Sequence, residues 1–94
     1  MIFEWDFHKE KLNIKKHGTD FYEASTSFSD PLKIEVYDDA HSTLEDRYLL
    51  LGISYKGKLV MVSFVERSDD LIRIISARPA TKQERFFYQQ QNRP

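Results

Sequence analysis

The chain has 94 residues, 40% of them hydrophobic and 31% charged, which suits one compact domain over residues 1–94 and rules out both a second core and a disordered chain. It contains no cysteine, so a disulfide framework, a thiolate nucleophile and a cysteine-ligated zinc or iron–sulfur site are excluded. The net charge of −1 gives no overall attraction to a polyanion.

In chain order, Phe3 to Trp5 reads as a short strand, and Asp6 is placed to cap a helix running to Lys16 and ended by His17-Gly18. The face of that helix is thinly apolar, with Phe7, Leu12 and Ile14 as its large hydrophobes, so part of it is expected at the surface. Asp20 to Glu23 has the form of a capping box and predicts a second, short helix, with Phe21, Ala24 and Phe28 on one face and Asp30-Pro31 as its stop. The period then changes to two. Strands are expected over 33–37, with Ile34 and Val36 inward, and over 47–54, 59–67 and 71–78. The connections 54–58 and 67–70 are short enough for hairpins, so at least the last three strands form an antiparallel meander. Thr81 to Glu84 is another capping box and opens a C-terminal helix over 82–90. The class is α+β: a central antiparallel sheet of four to five strands, two N-terminal helices and one C-terminal helix. The longest apolar runs, 48–51 and 59–62, fall far short of the roughly 18 residues of a membrane span, and the start lacks the pattern of a secretion signal. A cytoplasmic protein away from membranes is expected.

The near-zero net charge hides a segregation. Residues 20–47 carry eight acids against Lys33 and Arg47, whereas residues 67–94 carry six bases against Asp69, Asp70 and Glu84. Three constellations stand out. His41 precedes Glu45, Asp46 and Arg47 at the entry to a strand; imidazole ordinarily titrates near neutrality and suits proton transfer, with Glu45 able to orient it. Glu66, Arg67, Arg73, Ser76 and Arg78 fall on one predicted hairpin, and a planar guanidinium fork suits phosphate. Arg78 is expected to continue the face of Ile72 and Ile74, at the core edge or facing a cleft. Lys82 and Arg85 lie one i, i+3 step apart beside Phe86, Phe87 and Tyr88, where consecutive aromatics cannot share one stacking platform. No local histidine spacing suits a metal, and no glycine-rich loop suits a nucleotide cofactor.

Phe3-Glu-Trp-Asp6, Asn13 with Lys16-His-Gly18, Phe21 with Glu23-Ala24, Phe28 with Asp30-Pro31, His41-Ser42, Glu45-Asp-Arg47, Gly52, Glu66-Arg67 and Ile72 to Arg78 together resemble the BrnT family of bacterial type II toxins, over residues 3 to 88. The resemblance implies a RelE-like fold. It also implies a ribonuclease toxin that cleaves RNA without a metal or other cofactor to inhibit translation. A BrnA-type antitoxin would neutralise it in a hetero-oligomer such as a heterotetramer, with DNA met only through the antitoxin. For that chemistry the sequence offers Arg67 and Arg78 as phosphate and transition-state contacts and Glu66 or His41 as proton carrier. Arg47, Arg73, Ser76, Lys56, Lys82 and Arg85 are its further RNA contacts. A second reading is a catalytically inactive binding module that acts with the antitoxin in autoregulation of their operon.

Overall fold

The computed structural model describes residues 1–93. The chain opens with β1 (Ile2–Trp5) and turns into α1 (Phe7–His17) at Asp6, whose carboxylate accepts the Lys9 N–H at 3.0 Å. The helix stops at Gly18: a φ of +71° lets its N–H reach the Ile14 carbonyl at 2.7 Å, a conformation in which a side chain would be strained. Phe7, Leu12 and Ile14 are all exposed, as the thin apolar face predicts, and the one buried residue of α1 is Asn13.

Asp20 caps α2 (Phe21–Thr26) by accepting the Glu23 N–H at 2.7 Å, but only half of the expected capping box forms. The Glu23 carboxylate is buried and turns away, accepting the Ser54 hydroxyl at 2.8 Å with Lys56 Nζ at 3.7 Å. A buried carboxylate needs partners, and the hairpin turn at Ser54 to Lys58 supplies stronger ones than the helix end does. A single 3-10 turn, Ser27–Ser29, then carries Phe28 into the core, and the chain leaves in extended form at Asp30 before Pro31.

The remaining elements are β2 (Ile34–Tyr37), a second 3-10 turn (Asp39–His41), β3 (Tyr48–Ile53), β4 (Leu59–Ser68), β5 (Leu71–Pro79) and α3 (Lys82–Gln91), the last opened by a complete capping box of Thr81 and Glu84. The five strands form one sheet in the order β1-β5-β4-β3-β2. β2 to β5 are an antiparallel meander, whereas β1 pairs with β5 in parallel, so the sheet is mixed rather than wholly antiparallel. Hairpins impose antiparallel pairing only on sequence neighbours, and β1 is separated from β5 by most of the chain.

One face of the sheet is sealed by Phe21, Ala24 and Phe28 packed on Leu50, Val60, Val62, Phe64, Ile72, Ile74 and Ala77, with Phe3, Trp5 and Tyr48 at the margin. The other face is covered only at one end, where Tyr88 of α3 packs near Leu51, Met61 and Ala80. Ile34 and Val36, expected inward, belong to this second face. Val36 is 47% exposed and both line an open groove of about 180 Å³ between the strands and Phe87.

A register shift between Ser63 and Phe64 inserts an extra residue into β5 opposite them. Phe64 pairs with Ile74, and Ser63 with Ser76, so the alternation of β5 is displaced by one beyond Ile75. Ala77, not Arg78, therefore continues the buried face of Ile72 and Ile74. Arg73, Ser76 and Arg78 pair with Val65, Ser63 and Met61, alternate residues of β4, and so share the partly open face.

Candidate active site

The open face does not gather its arginines at one spot. Arg73 and Arg78 lie five residues apart on β5, about 16 Å along the strand, too far for one phosphate. Each also meets a carboxylate. Arg78 makes a bidentate pair with Glu84, Nη1 to Oε1 at 2.7 Å and Nη2 to Oε2 at 2.8 Å, and Arg73 pairs with Glu4 across the β1–β5 ladder. The Arg78 guanidinium holds Glu84 well below the usual carboxylate range, at about 2, and the same bonds raise Arg78 itself. Arg67 stands 3.6 Å from Glu45 beside a hollow that Glu45, Asp46 and Glu66 also line. Three carboxylates to one guanidinium make that hollow repel phosphate. Glu66 pairs with Ile72 and so projects to the opposite side of the sheet from Ser63 and Ser76.

Lys56 sits at the far end of β3 from Arg47, about 20 Å along the strand, where it faces buried Glu23. Lys82 and Arg85 are exposed on α3 beyond Arg78, with Arg85 directed at the Ala80 carbonyl at 3.5 Å.

What the structure does bring together is His41, Arg47 and Ser76. They line a cavity of about 200 Å³ with Asp38, Leu49 and Ser63. Ser63 and Ser76 oppose each other across β4 and β5, and Leu49 pairs with Ser63 from β3. The bulge in β5 is what turns Ser76 into this cavity. His41 and Asp38 come from the connection between β2 and β3, which closes on itself. Ser42 Oγ donates to the Asp38 carbonyl at 2.7 Å and accepts the Arg47 N–H at 2.9 Å, while the Asp38 N–H donates to the Arg47 carbonyl at 2.8 Å. Tyr37 adds a hydroxyl bond to Asp46 at 2.9 Å.

Within this frame His41 Nδ1 lies 2.9 Å from Asp38 Oδ2 and 3.1 Å from Oδ1. An ionised carboxylate only accepts, so Nδ1–H is the donor in this pair, and a neutral ring held this way keeps Nε2 as its acceptor. The Asp38 side chain is 11% exposed and the His41 ring 68%, the arrangement of a held orienter and an accessible base. Asp38, not Glu45, orients the ring. The sequence signal was the i, i+3 spacing of Asp38 and His41; Ser63 carried none, because a serine in an apolar strand looks like filler. Among the described residues, no three of histidine, aspartate and glutamate gather as a metal-binding group.

Residues 5–84 match the family model described as ribonuclease toxin, BrnT, of type II toxin-antitoxin system. The chain belongs to the BrnT family. Its members are ribonuclease toxins of type II toxin–antitoxin systems, and an antitoxin partner is implied by that membership. Among solved structures, the chain is similar to the Brucella abortus ribonuclease toxin, BrnT, with a TM-score of 0.62 and 25% sequence identity over 87% of this chain and 100% of that one. No curated protein matches it. Among the described residues of this BrnT chain, no helix is long and apolar enough to cross a membrane.

Proposed function

We propose that this BrnT protein cleaves RNA in the cytoplasm without a metal, at the cavity of His41, Arg47, Ser63 and Ser76, to inhibit translation. The observation that carries the reading is the His41 imidazole held by Asp38 at a cavity that Arg47, Ser63 and Ser76 also line. Metal-free cleavage uses the neighbouring 2′-hydroxyl as nucleophile. His41 Nε2 takes its proton while the 2′-oxygen bonds to phosphorus, and Asp38 stabilises the imidazolium that results. Arg47 and the two serine hydroxyls donate to the phosphoryl oxygens as negative charge builds on them. The bond to the 5′-oxygen breaks, that oxygen is protonated from solvent, and the products are a 2′,3′-cyclic phosphate and a 5′-hydroxyl. Arg67, Arg73 and Arg78, tied to carboxylates, stand outside this step, and the exposed Lys82 and Arg85 are contacts to flanking RNA.

Purified protein incubated with RNA in a chelator tests it. Cleavage is expected, slowed about 10²- to 10⁴-fold in His41→Ala and about 10²- to 10³-fold in Arg47→Ala. Intact RNA with the wild type, or unchanged rates in both variants, counts against the site. The partner is a BrnA-type antitoxin in a hetero-oligomer such as a heterotetramer, through which DNA is met indirectly. Of the acids in residues 20–47, Glu35, Asp39 and Asp46 are exposed and suit a basic protein. Growth arrest on expression alone, relieved by co-expression of the antitoxin, is the expected phenotype; arrest that persists with the antitoxin argues against this partner.

A further inference from the structure

α1 carries Lys9, Lys11, Lys15 and Lys16 against Glu10, four bases to one acid. Glu10 is occupied elsewhere, accepting the Phe21 N–H at 2.9 Å. Lys9, Leu12, Asn13 and Lys16 fall at i, i+3, i+4 and i+7 and so form one face. Apart from Asn13 that face is not core: both lysines are exposed, neither pairs with a carboxylate among the described residues, and Leu12 is 68% exposed. It borders a second cavity, of about 260 Å³, closed on the sheet side by Ile75 and Ser76. Ser76 lines both this cavity and the one at His41, so the two adjoin at this residue.

The junction is built rather than incidental. β1 pairs with β5 only as far as Ile74, leaving that edge of β5 without a strand beyond it. The Asn13 amide fills the place: its Nδ2 donates to the Ala77 carbonyl at 2.7 Å and the Thr19 carbonyl at 2.8 Å, and its Oδ1 accepts the Ala77 N–H at 3.1 Å. These bonds fix α1 one residue from Ser76, so the lysines are held at a set distance from the His41 cavity.

We infer that the α1 cavity is a second RNA-binding subsite, in which Lys9 and Lys16 hold backbone phosphates of the strand flanking the scissile bond and Leu12 supports a ribose or base. The lysines are two helical turns apart, about 10 Å, so they meet different phosphates rather than clamp one. The assignment of the flanking strand rests on the cleavage site proposed at His41.

The test is binding of a 2′-O-methyl oligonucleotide, long enough to span both cavities and resistant to cleavage, measured by fluorescence anisotropy over a range of salt concentrations. Removing two phosphate contacts in Lys9→Gln/Lys16→Gln should lower the slope of log K against log salt by about 1.4, at about 0.7 per contact for a single strand. Lys11→Gln/Lys15→Gln removes the same charge from the same helix outside the cavity, and a clearly smaller change is expected. An unchanged slope in the first variant, or equal losses in the two, overturns the subsite. So does retained RNA binding with lost antitoxin binding, which would make this face a protein contact. Because the probe cannot be cut, the slope is read whether or not the protein cleaves RNA. A wild type that binds as expected yet leaves natural RNA intact overturns the His41 mechanism and not this site.

Discussion

A guanidinium on a strand has two ways to reach a nuclease site: it faces the phosphate, or it holds a carboxylate that organises the fold. Arg78 takes the second, since its fork is filled by both oxygens of Glu84. Arg78→Ala is expected to slow RNA cleavage by less than about tenfold, under about 1.4 kcal/mol of transition-state stabilisation, whereas Arg47→Ala costs far more. A single-turnover assay of the two variants decides it; equal large losses would return Arg78 to the phosphate. Asp38→Asn keeps the size of the side chain but lets the partner of Nδ1 donate as well as accept, so the wrong tautomer is admitted. Cleavage should fall about 10²- to 10⁴-fold with the melting temperature little changed. At this scale the sequence was partly readable. His41, Arg47 and Ser76 were identified as candidates, but their partners depend on which neighbours the chain brings back, and Glu45 lost the imidazole to Asp38 for that reason.

At the scale of elements, caps and turns were legible because their causes are local. Asp6, Asp20 and Thr81 each accept the backbone N–H three residues on, as their positions predict. The β5 bulge was not legible, since its cause is the opposing strand, and it alone moves Arg78 off the core face and turns Ser76 into the cavity. Close packing of elements sets a further requirement at Gly52 of β3, where an added Cβ would lie 2.7 Å from the Ser27 carbonyl oxygen and 3.1 Å from Leu50 Cδ2. The clash is with backbone, so Gly52→Ala should destabilise by about 1–3 kcal/mol, seen as a lower urea midpoint at unchanged m-value. A midpoint equal to that of wild type would mean that the 3-10 turn moves aside freely.

Across the whole molecule, two polar ties fasten α3 to the sheet. At one end Glu84 holds Arg78; at the other the Tyr88 hydroxyl donates to Asp30 at 2.6 Å, and Asp30 also accepts from the Ile53 N–H at 2.8 Å. Glu84 is lowered to about 2 from 4.5, so its contribution is complete above the unfolded value and is lost as pH falls from about 4.5 toward 2. Tyr88 is raised to about 12 from 10.0, by burial and then by the Asp30 carboxylate, so its contribution is complete below 10 and is lost as pH rises toward 12. The melting temperature should therefore be level between about pH 5 and 9 and fall on both sides. Glu84→Gln, which can still cap the helix, should cost about 1–2 kcal/mol at neutral pH after allowance for solvent screening, and the difference from wild type should shrink below pH 4. Tyr88→Phe should cost about 1 kcal/mol and flatten the alkaline fall. Thermal melts across pH check both, and an alkaline limb unaltered in Tyr88→Phe would place its cause elsewhere.

The sequence by itself determined the α+β class, the main helices and strands in their order and the helix caps, because periodicity, capping and short connections act over a few residues, and the order and spacing of its motifs carried the BrnT membership. Only the tertiary structure decided that β1 runs parallel to β5, that Arg67, Arg73 and Arg78 are tied to Glu45, Glu4 and Glu84, and that the residues around His41 share one cavity, which adjoins the α1 cavity at Ser76. Those outcomes depend on strand register and on which opposite charge the fold places within bonding distance, and both are fixed largely by contacts between residues far apart in the chain.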